Sequence, residues 1–168
     1  MKRIITLSIA LLLTGASMSA QTVETERLYQ KYKGEEGVVS IWIPGIAMKL
    51  AASIADLDSE ETAFLRSVKS VRVLTIENRH LYPGVNFTRE ADLQPGKNGY
   101  QLMVQVSDGG QDVMILGKEK NGKLKNLLIL VGGEDNVMVH LKGRMNADMA
   151  GSIARIAGLE GTKYLSHL

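Results

Sequence analysis

Hydrophobic and polar positions along the chain change period several times, and each change marks an element. Val23 to Lys33 is charged and rich in helix formers, with Leu28, Tyr29 and Tyr32 as its large apolar or aromatic side chains beyond Val23, which predicts a helix docked at the domain edge. Gly34 and Gly37 interrupt it, and the β-branched, aromatic run Val38 to Ile43 predicts a strand ended by Pro44-Gly45. Ile46, Leu50, Ile54 and Leu57 then recur at i, i+4, i+8 and i+11, one helical face, which is expected to lie on the sheet. Asp58 with Glu61 three residues on is a capping box for a short helix that buries Phe64, Leu65 and Val68. Val71 to Ile76 is the second strand. Because helices bridge the first two strands, a right-handed crossover is expected if they lie parallel.

The second half alternates more plainly. Asn78 to Asn98 holds Pro83-Gly84 and Pro95-Gly96 around a short helix, Thr88 to Leu93, and is the irregular segment where a binding loop is expected. Strands follow at Tyr100 to Ser107, Val113 to Lys120, Lys123 to Val131 and Val137 to Leu141, separated by Asp108-Gly109-Gly110, Asn121-Gly122 and the turn that opens with Gly132-Gly133. A helix over Asn146 to Ala157 closes the pattern, with Met149, Ile153 and Ile156 as its stripe and Gly158 after it. The expected fold is α+β: a mixed, mainly antiparallel sheet with a C-terminal meander of about four strands and helices packed on one face.

The turn Asn121-Gly122 fixes a register. A two-residue loop that pairs Lys120 with Lys123 sets Leu116 opposite Leu127 and Met114 opposite Ile129, and both faces of that hairpin are apolar. If helices cover one face, Met114, Leu116, Leu127 and Ile129 become the candidate interaction face, for a homodimer or an envelope protein partner. On this reading Leu127→Lys or Ile129→Lys abolishes association and leaves the fold intact.

The N-terminus is of a different kind. Met1-Lys2-Arg3, an apolar run from Ile4 to Leu13 and a small-residue end up to Ala20 have the three parts of a secretory signal peptide, and the run is too short for a permanent span. Residues 1–20 are therefore expected to be removed and 21–168 to form a single α+β domain, exported, periplasmic or otherwise associated with the cell envelope, soluble, with no transmembrane segment after cleavage. A 148-residue remainder is long enough to bury about two-thirds of its chain surface. The leader has no acids, so Lys2 and Arg3 supply the whole excess of 20 basic over 18 acidic residues, and the remainder is neutral. A neutral chain has no general attraction to polyanions, so no nucleic-acid partner is expected. With 0 cysteines, disulfides, thiol catalysis and lipidation through a thiol are excluded.

The leader ending Ser19-Ala20-Gln21, the strands Val39-Ser40-Ile41-Trp42-Ile43 and Tyr100-Gln101-Leu102-Met103-Val104, the hairpin from Val113-Met114-Ile115-Leu116 to Leu127-Leu128-Ile129-Leu130-Val131, and Val139-His140-Leu141-Lys142-Gly143 together resemble the domain-of-unknown-function family 4252 over most of Thr22 to Leu159. These are small exported or lipid-anchored envelope proteins of Bacteroidota. The resemblance implies an envelope location and carries no activity or defined site. Some relatives have a lipobox cysteine that this sequence lacks.

Candidate chemistry is sparse. Glu77, Arg79, His80 and Tyr82 form the polar cluster chosen as the candidate ligand-binding set, since they follow a strand and open the irregular segment. His140 shares a strand face with Met138, and Met145 and Met149 are near, but methionine as core filler accounts for the same residues, so no metal is expected. His167 lies at the C-terminus. Asp56, Asp58, Glu60 and Glu61 lack the spacing of a calcium loop and are read as helix capping. No G-x-S-x-G elbow is present, and the glycine pairs sit between strands as turns, so no catalytic residues and no cofactors are assigned. The leading expectation is a non-catalytic interaction or self-associating module; the alternatives are a periplasmic small-ligand carrier with a pocket between sheet and helices and, third, a small enzyme of unknown reaction.

Overall fold

A computed structural model describes residues 23–93, 96 and 99–146. Residues 1–20, expected to be a signal peptide, and all but the first residue of the helix expected over Asn146 to Ala157 lie outside the described residues. The elements are α1 (Val23–Tyr32), β1 (Val38–Pro44), α2 (Gly45–Ile54), α3 (Ser59–Ser67), β2 (Val68–Ile76), a 3-10 turn over Arg79–Leu81, α4 (Phe87–Glu90), β3 (Gln101–Asp108), β4 (Gln111–Lys120), β5 (Lys123–Gly132) and β6 (Asn136–Met145). The strands form one six-stranded sheet in the order β1-β2-β6-β5-β4-β3. Every adjacent pair is antiparallel. The α+β meander is thus as expected, while the parallel crossover between the first two strands is not formed: α2 and α3 make a helical hairpin that carries the chain back to pair β2 antiparallel with β1. The capping box at Asp58 forms, with Glu61 N–H donating to Asp58 Oδ1 at 2.8 Å and Asp58 N–H to Glu61 Oε2 at 3.3 Å.

Both faces of the sheet are covered. On one, Leu28, Tyr29 and Tyr32 of α1 and Phe87 of α4 pack on Leu74, Leu116, Leu128, Leu130 and Met138. On the other, Met48 of α2 and Phe64 and Leu65 of α3 belong to the cluster of Val71, Leu127, Ile129 and Leu141. The sequence placed the helices on one face; the reason they divide is that β4 and β5 are apolar on both sides, and each buried Leu or Ile is worth about 1.5–3 kcal/mol relative to exposure.

The register of the central hairpin corrects the expected pairing. Asn121 (φ 56°) and Gly122 (φ 67°) form the turn, and Lys120 does pair with Lys123. Lys118, however, pairs with Asn126 while Glu119 pairs with Leu124, so Lys125 is an extra residue and the rest of the ladder shifts by one: Leu116 faces Leu128, Ile115 faces Ile129 and Met114 faces Leu130. A one-residue slip exchanges faces. Met114 and Leu116 therefore point to α1 and α4, Leu127 and Ile129 point to the opposite side, and the four do not make one surface; Leu116, Leu127 and Ile129 are buried and Met114 is half-buried.

Beneath α1 the first face turns polar. His140 is buried, with Nε2 3.3 Å from Asn126 Oδ1. It pairs across strands with Arg72, whose guanidinium lies 5.2 Å from the Tyr29 ring centre and is bonded to Glu26 of α1. Burial, reinforced by the Lys142 and Arg72 charges against a smaller opposing effect of Glu26, pushes the imidazole down from 6.5 to about 4.

Two predictions follow from the sheet. The unfolded chain binds a proton at His140 below about pH 6.5 and the folded chain only near 4, so its contribution is complete above pH 6.5 and is lost as pH falls toward 4. Urea titrations at pH 7 and pH 5 should show a loss of about 2 kcal/mol in unfolding free energy that is absent in His140→Gln; a loss of the same size in wild type and variant would contradict a neutral buried imidazole. Leu127→Lys places an unpaired charge in the buried interior, at a cost comparable with the whole stability of a domain, and should leave the chain without a cooperative thermal transition by circular dichroism. A folded Leu127→Lys protein with an unchanged midpoint would show that this side of β5 is open.

Candidate functional site

Two places remain where side chains are gathered but not consumed by folding. The first is a cleft of about 520 Å³ at the end of the sheet where the β3–β4 and β5–β6 turns meet the segment after β2. That segment is tied down residue by residue. Glu77 and Asn78 N–H both donate to Gly37 O, at 2.9 and 3.2 Å. Gly37 has φ 71°, and a Cβ there would lie 2.8 Å from Asn78 Cβ, so only glycine fits. Asn78 Oδ1 then accepts from His80 N–H at 3.2 Å and starts the 3-10 turn. Tyr82 closes it, its hydroxyl donating to Glu36 O at 2.7 Å and its ring meeting Tyr32 edge-on at 5.8 Å.

Two asparagines hold the floor. Asn86 caps α4, accepting from Thr88 and Arg89 N–H at 3.0 and 3.2 Å, and donates to Asp112 Oδ2 at 3.0 Å. Asn136 accepts from Phe87 N–H at 2.9 Å and donates to Val85 O at 3.1 Å. Hydrogen bonds from Ser107 first, then Asn86, and the charge of Arg89 hold the Asp112 carboxyl below the usual range. Gly132 must lack a side chain, because a Cβ would come within 2.1 Å of Asn86 Oδ1.

Of the four residues chosen from sequence, Arg79, His80 and Tyr82 line this cleft and Glu77 does not. Arg89 and Glu134 join them, and neither was anticipated. Asn86 was not singled out either, and the helix expected over Thr88 to Leu93 starts instead at Phe87 with Asn86, a capping residue type, before it; Asn136, 49 residues from its partner Phe87, had no local signal. Arg79 and His80 are the groups left to meet an anionic or hydrogen-bonding ligand, since Arg89 lies 3.5 Å from Asp112 and the Tyr82 hydroxyl already donates to Glu36 O, while Glu134 adds a carboxylate to the same lining. The space between sheet and helices, where the carrier pocket was expected, is instead filled on this side by Phe87, Tyr32 and Leu130. No group of three or more metal-ligating residues occurs among the described residues. His140 and Met138 share one face, while Met145 packs in the cluster on the other and Met149 lies outside the described residues, so the soft-metal set is not assembled.

The second place overturns an expectation. The stripe Ile46, Leu50 and Ile54 of α2 does not lie on the sheet: these residues are 77%, 62% and 79% exposed. The helix instead presents Gly45, Met48 and Ala52 inward. The cause is local, since a Cβ at Gly45 would lie 2.6 Å from Lys69 O, so the helix begins in direct contact with the β2 backbone and its small side follows. On β1, Ile41 (45%) adds to this surface on the α2 side, while Trp42 (59%) is exposed on the opposite face, beside Arg72. The two ends of this surface differ in charge. Lys49, Arg66, Lys69 and Arg144 surround a hollow of about 340 Å³ at the start of α2, and no ion pair among the described residues engages them. Asp56 and Asp58 lie at the other end, between α2 and α3, with Glu60 and Glu61 in the first turn of α3.

Among the described residues, no helix is long and apolar enough to cross a membrane. No curated protein and no solved structure matches the chain. Residues 32–153, from the last residue of α1 through every strand of the sheet, match the family described as Domain of unknown function (DUF4252), and the chain belongs to that family.

Proposed function

We propose that the protein is an exported envelope module that binds a protein partner through the edge built by β1 and α2. The observation that carries this reading is the inverted helix: α2 buries Ala52 and leaves Ile46, Leu50 and Ile54 in water. Three side chains of that size forgo about 1.5–3 kcal/mol each while exposed. Contiguous exposed apolar patches of this kind mark interaction surfaces. The partner is a protein that presents apolar side chains beside a free strand. The secretory leader read in residues 1–20 supports the envelope as the place of action. The reading moves the interaction surface away from Leu127 and Ile129, which the fold consumes.

Hydroxyl-radical footprinting of the protein in intact envelopes of its own host tests this. Normalised to the unfolded chain, Ile46 and Leu50 should be labelled more slowly than Leu81, which is 47% exposed. Labelling at or above the Leu81 rate overturns the proposal.

A second reading, a small-ligand carrier, is favoured by the convergence of Arg79, His80 and Tyr82 on one cleft. Native mass spectrometry of the protein taken from its host should then show a non-protein adduct that the Arg79→Ala/His80→Ala protein lacks. No adduct, or one retained by the double variant, removes this reading.

A further inference from the structure

The neutral total of the chain conceals a division of charge between the two ends of the sheet. Two bulges build the basic end. In β2, Val68 pairs with Gly143 and Ser70 with Lys142, which leaves Lys69 as an extra residue. In β5, Lys125 is extra against β4 and lies across from Gly143-Arg144 of β6. A bulge re-aims the side chain it frees, and here the freed side chains are lysines that converge with Arg144. Two glycines add the helices. A Cβ at Gly45 would lie 2.6 Å from Lys69 O, and one at Gly143 2.5 Å from Ser67 O. The start of α2 and the end of α3 therefore sit directly on the strand backbones and bring Lys49 and Arg66 alongside. Lys49, Arg66, Lys69 and Arg144 line one hollow of about 340 Å³. Lys125 continues the patch: burial first, then the charges of Arg144, Lys69 and Lys120, hold its ammonium below the usual lysine range.

Like charges gathered in this way oppose folding, and none of the ion pairs among the described residues relieves them. The hairpin tip from Lys118 to Lys125 holds four lysines and one acid, Glu119. The other end of the sheet carries Glu36, Glu77, Asp112, Glu134 and Asp135, with Arg79 and Arg89 as the cations among them.

We infer that the bulged, basic end of the sheet is a docking surface for an anionic lipid bilayer. This goes beyond the protein-binding reading and is independent of it, since Leu50 and Ile54 do not line the hollow. Extent selects the occupant. Lys49, Arg66, Lys69, Lys120, Lys125 and Arg144 come from two helices and four strands, too wide a spread for one small anion to meet. A plane of phosphate head groups meets all of them at once. Residue type agrees: four of these six are lysines, point charges on flexible stems without the fork that holds a single phosphate. Among the described residues, no aromatic side chain lines the hollow for a nucleic-acid base to stack on. The division of charge also sets an orientation, because an anionic plane attracts the basic end and repels the acidic one. The secretory leader read in residues 1–20 brings the chain beside such surfaces.

Co-sedimentation of the protein taken from its host tests this with two kinds of vesicle, phosphatidylcholine alone and phosphatidylcholine mixed with phosphatidylglycerol. At about 0.1 M ionic strength the protein should bind the mixed vesicles only, and binding should vanish at about 1 M, where the Debye length shrinks to about 3 Å. Each Lys or Arg near an anionic surface strengthens binding about fivefold, so Lys69→Glu, which removes one attraction and adds one repulsion, should weaken it about 25-fold. Arg144→Glu should do the same at a second position, and neither should lower the thermal midpoint, since each relieves like-charge crowding. Lys33→Glu makes the same change of net charge at an exposed position after α1, near the acidic end, and should weaken binding by no more than about threefold. A wild type that ignores the mixed vesicles, or an equal loss in Lys33→Glu, overturns the proposal. Release by inorganic phosphate at an ionic strength where chloride releases nothing makes the hollow a site for a single phosphate group and overturns the bilayer, as does duplex DNA that binds more tightly than the mixed vesicles.

Discussion

A sheet whose central strands are apolar on both sides has to be covered twice, and the rest of this molecule is arranged to do so. β4 and β5 set Leu116, Leu128 and Leu130 on one side and Ile115, Leu127 and Ile129 on the other. An antiparallel sheet commonly leaves one face to water, with alternating polar residues there. These strands do not alternate. The helices before and after β1 therefore take different sides, α1 with α4 on one and α2 with α3 on the other, and the chain crosses from one layer to the other through the edge strand. That requirement leaves β1 outermost and puts α2 on the outer strands, where its outward face stays exposed among the described residues.

Most of the elements were legible because they rest on local chemistry. The period of Val113 to Val131, the turn at Asn121-Gly122 and the capping box of Asp58 and Glu61 each need only a few adjacent residues, and all three form. What was not legible depends on counting across space. The extra residue at Lys125 has no signature in its own side chain, yet it transfers Leu127 and Ile129 to the opposite face and dissolves the surface that the uninterrupted register implied. Register shifts recur in β3–β4, β5–β6 and β2–β6, and only β1–β2 runs without one. A bulge twists a strand and ends its suitability for further pairing. Its absence from β1 is a property of the sheet that composition alone does not display.

The loop cleft was half legible for the same reason. Arg79, His80 and Tyr82 are close in sequence, and the Asn78 side chain folds them into one turn, so their convergence is a local fact. Glu77 belongs to the strand end and is drawn toward Gly37 by its backbone instead. Arg89 and Glu134 reach the cleft only because Asn86 and Asn136 bind the α4 turn to the β5–β6 turn, and a hydrogen bond between residues 87 and 136 has no trace in periodicity.

The orientation of α2 shows why a hydrophobic stripe read at helical spacing is not by itself a buried one. Periodicity reports that a helix has an apolar side; it does not report what that side faces. In α2 the opposite side carries Gly45 and Ala52, residues whose small size lets a helix sit directly on a strand backbone, and the near contact of Gly45 with Lys69 O leaves no room for the larger stripe to turn inward. The helix therefore has a small side that packs on its own sheet and a large side that the described residues leave exposed. A side made of three long aliphatic residues at four-residue spacing has the form of a helix–helix contact, set on the side of α2 that its own sheet does not use.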